Sequence, residues 1–321
     1  AARLVREHHG NDHIDLAEIT HAKAVVLKKL ARYGEAAELL RLVLTQTEAH
    51  FSANHVRCGV VQRDLADVLR KQDKLDEARE LYDRALSIVR SALGQEHDEV
   101  ADILNSIGLV EKRQAKYTDA EKKFRQAISI VRKVYGNEHA KIGLYLGNVA
   151  DIQRKQGDLT QAIKTYENAL KVVGATLGES HIEHAELRVR LARALAAKRQ
   201  YSRADTILGD ALGAVQLSLG DTHPKVGEFG ICRADILREQ GRLDEARRVA
   251  TSAVAVVRAS LGADSIECGE GERCLASISL ALREDDDARE HATRARAILI
   301  DLLHAQHPKV IEVDEILKRL L

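Results

Sequence analysis

The sequence has 321 residues, 45% of them hydrophobic, and its 49 basic and 49 acidic residues give a formal net charge of zero. This much apolar material is enough for a buried core and excludes a disordered chain. The balanced charge gives no global support to a nucleic-acid partner. No stretch approaches the roughly 18 apolar residues of a membrane span, and the first ten residues lack a secretory apolar core.

Cysteine and proline usage narrow the class further. The four cysteines, Cys58, Cys232, Cys268 and Cys274, include no Cys-x-x-Cys pair and therefore indicate no disulfide framework. This favours a reducing compartment, and we expect a cytoplasmic protein. The chain has only two prolines and is rich in alanine, leucine, glutamate, lysine and arginine, which predicts an all-α fold.

A period of 42 residues runs through the chain. It is marked by five glycines: Gly94, Gly136, Gly178, Gly220 and Gly262. Extended in both directions, the marks fall on Gly10, Ser52 and His304, and three residues after each mark stand His13, His55, His97, His139, His181, His223, Ser265 and His307. Three more columns hold almost only small residues: Ala24, Ala66, Gly108, Ala150, Ala192, Ala234 and Ala276; Ala36, Ala78, Ala120, Ala162, Ala204, Ala246 and Ala288; Val43, Ala85, Ala127, Ala169, Ala211, Ala253 and Ala295. Small residues in fixed columns indicate helices that cross closely.

Each repeat is predicted to be two antiparallel helices. The first helix begins near the histidine column, where Pro224 and Pro308 suit the first helical position. The second begins at residues of helix-capping type: Gly34, Asp76, Thr118, Thr160, Ser202, Asp244 and Asp286. It ends at the next marker glycine. In chain order, residues 1–9 end an earlier repeat, full repeats follow at 10–51, 52–93, 94–135, 136–177, 178–219, 220–261 and 262–303, and 304–321 form a capping helix. Lys318 replaces a small residue there, which predicts that no further hairpin docks on it.

These columns resemble the tetratricopeptide repeat, which carries small residues at its eighth, twentieth and twenty-seventh positions. Two aromatic columns match as well and are expected in the core: Tyr33, Tyr117 and Tyr201; Tyr82, Phe124 and Tyr166. The period exceeds the standard repeat of about 34 residues, and residues 94–136 look like the kinesin light chain class of repeat. The resemblance implies a single right-handed α-solenoid of seven repeats plus a capping helix, without catalytic residues, cofactor or metal.

In tetratricopeptide arrays the first helices line a concave groove that binds peptides. Carried onto this chain, the resemblance places a basic stripe in the groove: Lys28, Lys29, Arg70, Lys71, Lys112, Arg113, Arg154 and Lys155. Neighbouring groove positions add Arg63, Asn105, Asn148 and Arg190. Amides can hold a peptide backbone and guanidinium groups its carboxylates, so these residues suit an extended acidic peptide. The alternative is that the stripe is a solvated helix face. The stripe stops after Lys155, so we expect the N-terminal half alone to bind acidic segments.

Other candidate sites have simpler structural interpretations. One histidine per repeat places successive imidazoles about a hairpin apart, which is too far for a shared metal with bonds of about 2 Å. Helix capping is the expected role of this column. Cys58 and Cys268 fall in an apolar column and should be buried, whereas Cys232 and Cys274 fall in a polar column and should be more accessible.

Three functional classes follow. The first is an adaptor or scaffold that binds short acidic motifs of partner proteins, as kinesin light chains do. The second is a sensor or regulatory arm of a larger enzyme or signalling ATPase. The third, nucleic-acid binding through the basic stripe, is disfavoured because few aromatic residues are left for base stacking. The ends of such an array also offer surfaces for self-association.

Overall fold

The computed structural model describes residues 14–30, 32–303 and 305–320, which form fifteen helices and no strand. The helices are α1 Ile14–Lys29, α2 Tyr33–Phe51, α3 Val56–Lys71, α4 Leu75–Leu93, α5 Asp98–Arg113, α6 Tyr117–Tyr135, α7 Ala140–Lys155, α8 Leu159–Leu177, α9 Ile182–Ala197, α10 Tyr201–Leu219, α11 Pro224–Glu239, α12 Leu243–Leu261, α13 Ile266–Leu282, α14 Asp285–Leu302 and α15 Pro308–Arg319. The predicted all-α fold is confirmed. The predictions for residues 1–9, His13 and His304 concern residues outside those described.

The helices alternate between two types. Odd-numbered helices, here called A helices, have 16 residues in most repeats, and even-numbered B helices have 19. The chain divides into a first compact unit ending at Ile152 and a second beginning at Gln153. Within each unit an A helix packs on the B helix that follows it and on the neighbouring A helices. Each unit is therefore a stack of helical hairpins, as in a helical-repeat solenoid.

The small-residue columns lie at the helix crossings. Ala78, Ala120 and Ala162 are fully buried, as are the alanines of the same column in the other repeats. Gly108 shows why this matters, because a Cβ on it would lie 2.6 Å from the ring of Phe124. The prediction of closely crossing helices is confirmed.

The two aromatic columns behave differently. Tyr82, Phe124 and Tyr166 are fully buried, as predicted. Tyr33, Tyr117 and Tyr201 are only half-buried, so the prediction that they belong to the core was correct only in part. They stand at the first residue of a B helix, where one side of the ring faces the turn.

The A helices begin as the histidine column predicts. The Nδ1 atoms of His55, His97, His139, His181, His223 and His307 accept hydrogen bonds from the backbone N–H two residues ahead. Ser265 does the same with its hydroxyl, bonding Cys268 N at 3.2 Å. Capping satisfies a backbone donor that the helix leaves without a partner.

The predicted caps of the B helices were wrong by two residues. The helices begin at Tyr33, Leu75 and their equivalents, one residue before the predicted cap. Asp158 is the one true cap residue whose side chain accepts a backbone hydrogen bond in the described B helices, from Gln161 N at 3.0 Å. Backbone bonds close the other turns, such as Lys74 N to Leu69 O at 2.9 Å. The polar residues therefore lie inside the first turn, where their dipoles still suit the helix.

The B helices end at the marker residues. Gly94, Gly136, Gly178, Gly220 and Gly262 have φ between 81° and 93°, a region that favours glycine. Ser52 occupies the same place with φ 86° and carries a side chain there. Near the last helix, Lys318 is exposed.

Candidate functional site

The predicted stripe forms two rows along the A helices. The deep cations, Lys28, Arg70, Lys112 and Arg154, are half-buried. The edge cations, Lys29, Lys71, Arg113 and Lys155, each follow a deep cation by one residue and are exposed. The one-residue step turns each edge cation about 100° around the helix from its neighbour, which explains the different exposure.

In the first unit the deep cations contact carboxylates on neighbouring A helices. Lys28 Nζ lies 3.5 Å from Asp67, and Lys112 Nζ lies 2.9 Å from Asp151. Both partners stand 39 residues later in the sequence. Arg70 also contacts Asp67, at 3.5 Å. The charge of the deep row is therefore largely compensated inside the first unit.

A second cluster surrounds the buried Asp64. Its carboxylate lies 2.7 Å from His21 Nε2, 3.3 Å from Lys28 Nζ and 3.4 Å from Arg63 Nη2. Burial opposes ionisation, but the His21 hydrogen bond and the nearby cations lower the pKa of Asp64 to about 2. Arg63 also pairs with Glu99, and these carboxylates raise its pKa even though burial acts against the charge.

The two predicted amides meet each other. Asn148 Nδ2 donates to Asn105 Oδ1 at 2.8 Å. The partners are 43 residues apart, as are His21 and Asp64. This offset joins one A helix to the next, so part of the hydrogen-bonding capacity of the predicted amides is used within the array.

Not all edge cations are equally accessible. Arg113 Nη2 lies 2.5 Å from Asp73 and retains 39% exposure of its side chain. Lys29 and Lys71 are exposed at the C-terminal ends of α1 and α3. These three cations form the accessible basic edge of the first unit.

Three predicted residues belong to the second unit. Arg190 is half-buried on α9, Lys155 is exposed, and Arg154 lines a cavity of about 590 Å³. Residues of α9, α11, α13 and α15 form the rest of its wall, including Arg193, Asp235, Glu270, Arg273 and Glu312. All five were missing from the predicted site. Their columns are groove columns of the resemblance, but attention to lysine and arginine pairs alone passed over them.

Charge in this cavity is distributed unevenly. Arg273 is the centre of a carboxylate cluster, with Asp235 at 2.8 Å, Glu270 at 3.6 Å and Glu312 at 3.7 Å. Burial raises the pKa of the Glu312 carboxyl, and Glu270 and Asp235 add to the shift against the effect of Arg273. Four buried polar atoms in the wall have no hydrogen-bond partner: Asp235 Oδ1, Arg238 Nε, Glu270 Oε1 and Arg273 Nε.

The other side of the cavity is cationic. Arg193 stands 39 residues after Arg154, the offset that places a carboxylate beside each of Lys28 and Lys112 in the first unit. Arg193 Nε donates to Cys232 Sγ at 3.2 Å, and within the described residues neither arginine has a carboxylate partner. Two arginines therefore line one cavity where the first unit pairs opposite charges.

The predicted accessibility of two cysteines was wrong. Cys232 is 3% exposed and Cys274 is fully buried, like Cys58 and Cys268. Their polar column lies between adjacent A helices and not in the open groove, as Cys274 Sγ shows by its 3.9 Å approach to Ile231 O. Asp64 and Asn148 occupy the same column and are also buried, held by hydrogen bonds to the preceding A helix.

Two further searches concern the described residues only. Within residues 14–30, 32–303 and 305–320, no group of three or more histidine, cysteine or acidic side chains could hold a metal ion. No helix in the same part of the chain is both long and apolar enough to cross a membrane.

Stacked two-helix hairpins with polar, charged A-helix faces define a class of helical-repeat interaction scaffold. The tetratricopeptide repeat family model matches residues 58–133, 99–159 and 141–216, and a second tetratricopeptide repeat model matches 233–267. Together these matches cover more than half of the chain, which therefore belongs to the tetratricopeptide repeat family. Such repeats are generally non-catalytic scaffolds for protein interaction.

Solved structures support the same fold. A protein of Podosopora anserina with kinesin light chain TPR-like repeats is 20% identical, with a TM-score of 0.52 over 64% of this chain and 98% of its own. BtubC (BKLC) from P. vanneervenii is 16% identical, with a TM-score of 0.56 over 74% of this chain and 93% of its own. The STAND protein PH0952 from Pyrococcus horikoshii, which has a tetratricopeptide repeat sensor, is 17% identical, with a TM-score of 0.64 over 100% of this chain and 46% of its own. No curated protein matches the sequence significantly.

Proposed function

We propose that this chain is an adaptor that binds extended, acidic segments of partner proteins along the A helices of its first unit. The observation that carries the proposal is the exposed edge of Lys29, Lys71 and Arg113 beside a deep row whose charge is already compensated. The deep row is then a scaffold, and the edge supplies the charge that a partner meets. A cytoplasmic location suits this role, since all four cysteines are free.

The full proposed groove retains every residue of the predicted site: Lys28, Lys29, Arg63, Arg70, Lys71, Asn105, Lys112, Arg113, Asn148, Arg154, Lys155 and Arg190. Their roles differ. Deep residues such as Lys28 and Arg63 orient the carboxylates around them, and an acidic ligand reaches them by replacing one of those carboxylates. Edge residues lose less hydration and fewer contacts on binding, so we expect them to provide most of the charge recognition.

The test is a peptide array of acidic, neutral and basic twelve-residue probes, followed by calorimetric titration of the best binders. The triple variant Lys29→Ala, Lys71→Ala, Arg113→Ala should weaken acidic probes at least tenfold. A matched variant removes three exposed cations of B helices, Arg41→Ala, Arg84→Ala and Lys122→Ala, and should change the affinity less than twofold. Binding should also weaken in 1 M salt, where the Debye length is about 3 Å.

Two results would contradict the proposal. One is a preference of the array for neutral or basic probes. The other is an equal loss of affinity in the A-helix and B-helix triple variants, which would mean that the stripe acts only as a solvated face.

A sensor arm of a larger chain is the second candidate function. It is favoured by the similarity to a signalling ATPase that uses its tetratricopeptide repeats as a sensor. The sequence of the whole gene separates the two functions, because a nucleotide-binding domain on the same chain would favour the sensor.

A further inference from the structure

The cavity of the second unit combines two features that are absent from the paired A-helix face of the first. Its cationic side holds Arg154 and Arg193, which meet no carboxylate among the described residues. Its acidic side holds Asp235, Glu270 and Glu312 around Arg273, which makes one short contact, to Asp235 at 2.8 Å. One cavity therefore has two ends of opposite charge.

Unpaired buried atoms mark the acidic side as incomplete. Asp235 Oδ1 and Glu270 Oε1 are buried acceptors without a donor, although Lys309 Nζ approaches Glu270 Oε1 to 3.6 Å. Leaving a buried acceptor without a donor is unfavourable, more so for a charged group. A cation entering from the cavity would supply donors to both oxygens.

We infer that this cavity binds a second kind of partner segment, an extended peptide that carries one basic and one acidic residue. The basic side chain lies among Asp235, Glu270 and Glu312, and the acidic side chain lies between Arg154 and Arg193. The inference rests on the proposed function as a peptide-binding adaptor, and it names a ligand class for the second unit that differs from the acidic segments proposed for the first.

The spacing of the two residues follows from the helices. Arg193 lies on α9 and Glu270 on α13, with α11 between them. Adjacent packed helices lie about 8–10 Å apart, so the two ends are separated by roughly 16–20 Å. An extended chain rises about 3.3 Å per residue, so the basic and acidic residues should stand about five or six positions apart.

The experiment begins with a phage-displayed library of random twelve-residue peptides selected on the full chain. Enriched peptides should pair Arg or Lys with Asp or Glu about five or six residues apart. A library that yields no peptide with such a pair overturns the inference.

Charge reversal then tests the orientation, with selected peptides measured by fluorescence polarisation. Glu312→Lys should weaken binding at least tenfold, and replacing the basic residue of the peptide by glutamate should restore it on this variant. Arg193→Glu should weaken binding to a similar degree, with recovery when the acidic residue of the peptide becomes arginine. Glu312 is 59% exposed and Arg193 is exposed, so neither change disturbs the core.

A merely structural effect of the substitutions would weaken binding without recovery by the reversed peptides, and that result also overturns the inference. The first-unit variant Lys29→Ala, Lys71→Ala, Arg113→Ala serves as the control and should leave these affinities within twofold. If the selected peptides respond to this variant and not to Glu312→Lys, the second-unit site is refuted while binding to the first unit is supported.

Discussion

The two units place charge differently on the same scaffold. In the first, the offset of 39 residues joins a deep cation to a carboxylate twice, at Lys28 with Asp67 and Lys112 with Asp151. In the second, the same offset leads from Arg154 to Arg193, two like charges that line a cavity. A single column, read one repeat further along, separates a self-paired face from an unpaired one.

The difference shows where specificity in this array resides. The buried alanine columns are nearly identical in both units and determine the hairpin geometry. The A-helix polar columns vary freely, because a change there alters a contact across one helix interface and leaves the crossings intact. Two different peptide classes can thus be recognised by one architecture.

The largest expected effect tests whether the two units are separate folding units. Ala120 in the first unit and Ala162 in the second are fully buried, and leucine at either should cost about 2–3 kcal/mol of unfolding free energy through overpacking. Urea titration followed by circular dichroism measures the loss. Hydrogen exchange should then show lost protection mainly within the unit that carries the change.

Ala175→Leu is the matched control, since Ala175 is exposed on α8, the helix that carries Ala162. It should change the unfolding free energy by less than about 0.5 kcal/mol. Equal loss of protection in both units after Ala120→Leu would show that the array unfolds as one cooperative body, and the comparison would then concern binding surfaces alone.

A smaller effect probes the paired charges of the first unit. The pKa of Asp64 is about 2 in the folded chain, below the usual value of about 3.9. Its contribution to stability is therefore fully present above about pH 4 and is lost as the pH falls through about 2. Asp64→Asn should lower the unfolding free energy at pH 7 by about 2 kcal/mol.

Unfolding free energies measured from pH 2 to pH 7 should converge for the wild type and Asp64→Asn at the acid end. Asp210→Asn, at an exposed carboxylate, should follow the wild type throughout. A constant difference between the wild type and Asp64→Asn at every pH would mean that the variant disturbs packing and that the ion pairs around Asp64 contribute little.

Much of the fold could be predicted from the sequence because it is periodic. Buried alanines, marker glycines and capping histidines recur at one spacing, and each has a local physical reason to recur. The starts of the B helices were less predictable, since backbone hydrogen bonds such as Lys74 N to Leu69 O close those turns without a diagnostic side chain. Any polar residue in the first turn then looks like a cap.

The site was harder to predict than the fold, for a different reason. The predicted basic wall counted cations in one column and did not ask what stands 39 or 43 residues later. Those offsets decide that Lys112 meets Asp151, and that Asn148 and Cys274 are buried between A helices. Once the structure provides the two offsets, the same sequence shows that Arg154 is followed by Arg193 in place of a carboxylate.

The smallest expected effect concerns the ends of the B helices, where the units also differ. The second unit has glycine with φ between 85° and 93° at Gly178, Gly220 and Gly262, whereas the first has Ser52 at φ 86° and ψ 154°. This backbone region is almost restricted to glycine and costs other residues about 1–3 kcal/mol. Ser52→Gly removes that strain but increases the flexibility of the unfolded chain, which offsets part of the gain.

We therefore expect Ser52→Gly to raise the unfolding free energy by about 1 kcal/mol, which corresponds to a rise in Tm of about 2–4 °C. Gly94→Ser, the reverse change one repeat later, should lower it by a similar amount, because Gly94 has φ 90°. Thermal unfolding followed by circular dichroism measures both variants. If Ser52→Gly is neutral while Gly94→Ser is destabilising, the serine must form compensating interactions at its own junction, and the first unit would be no less stable there than the second.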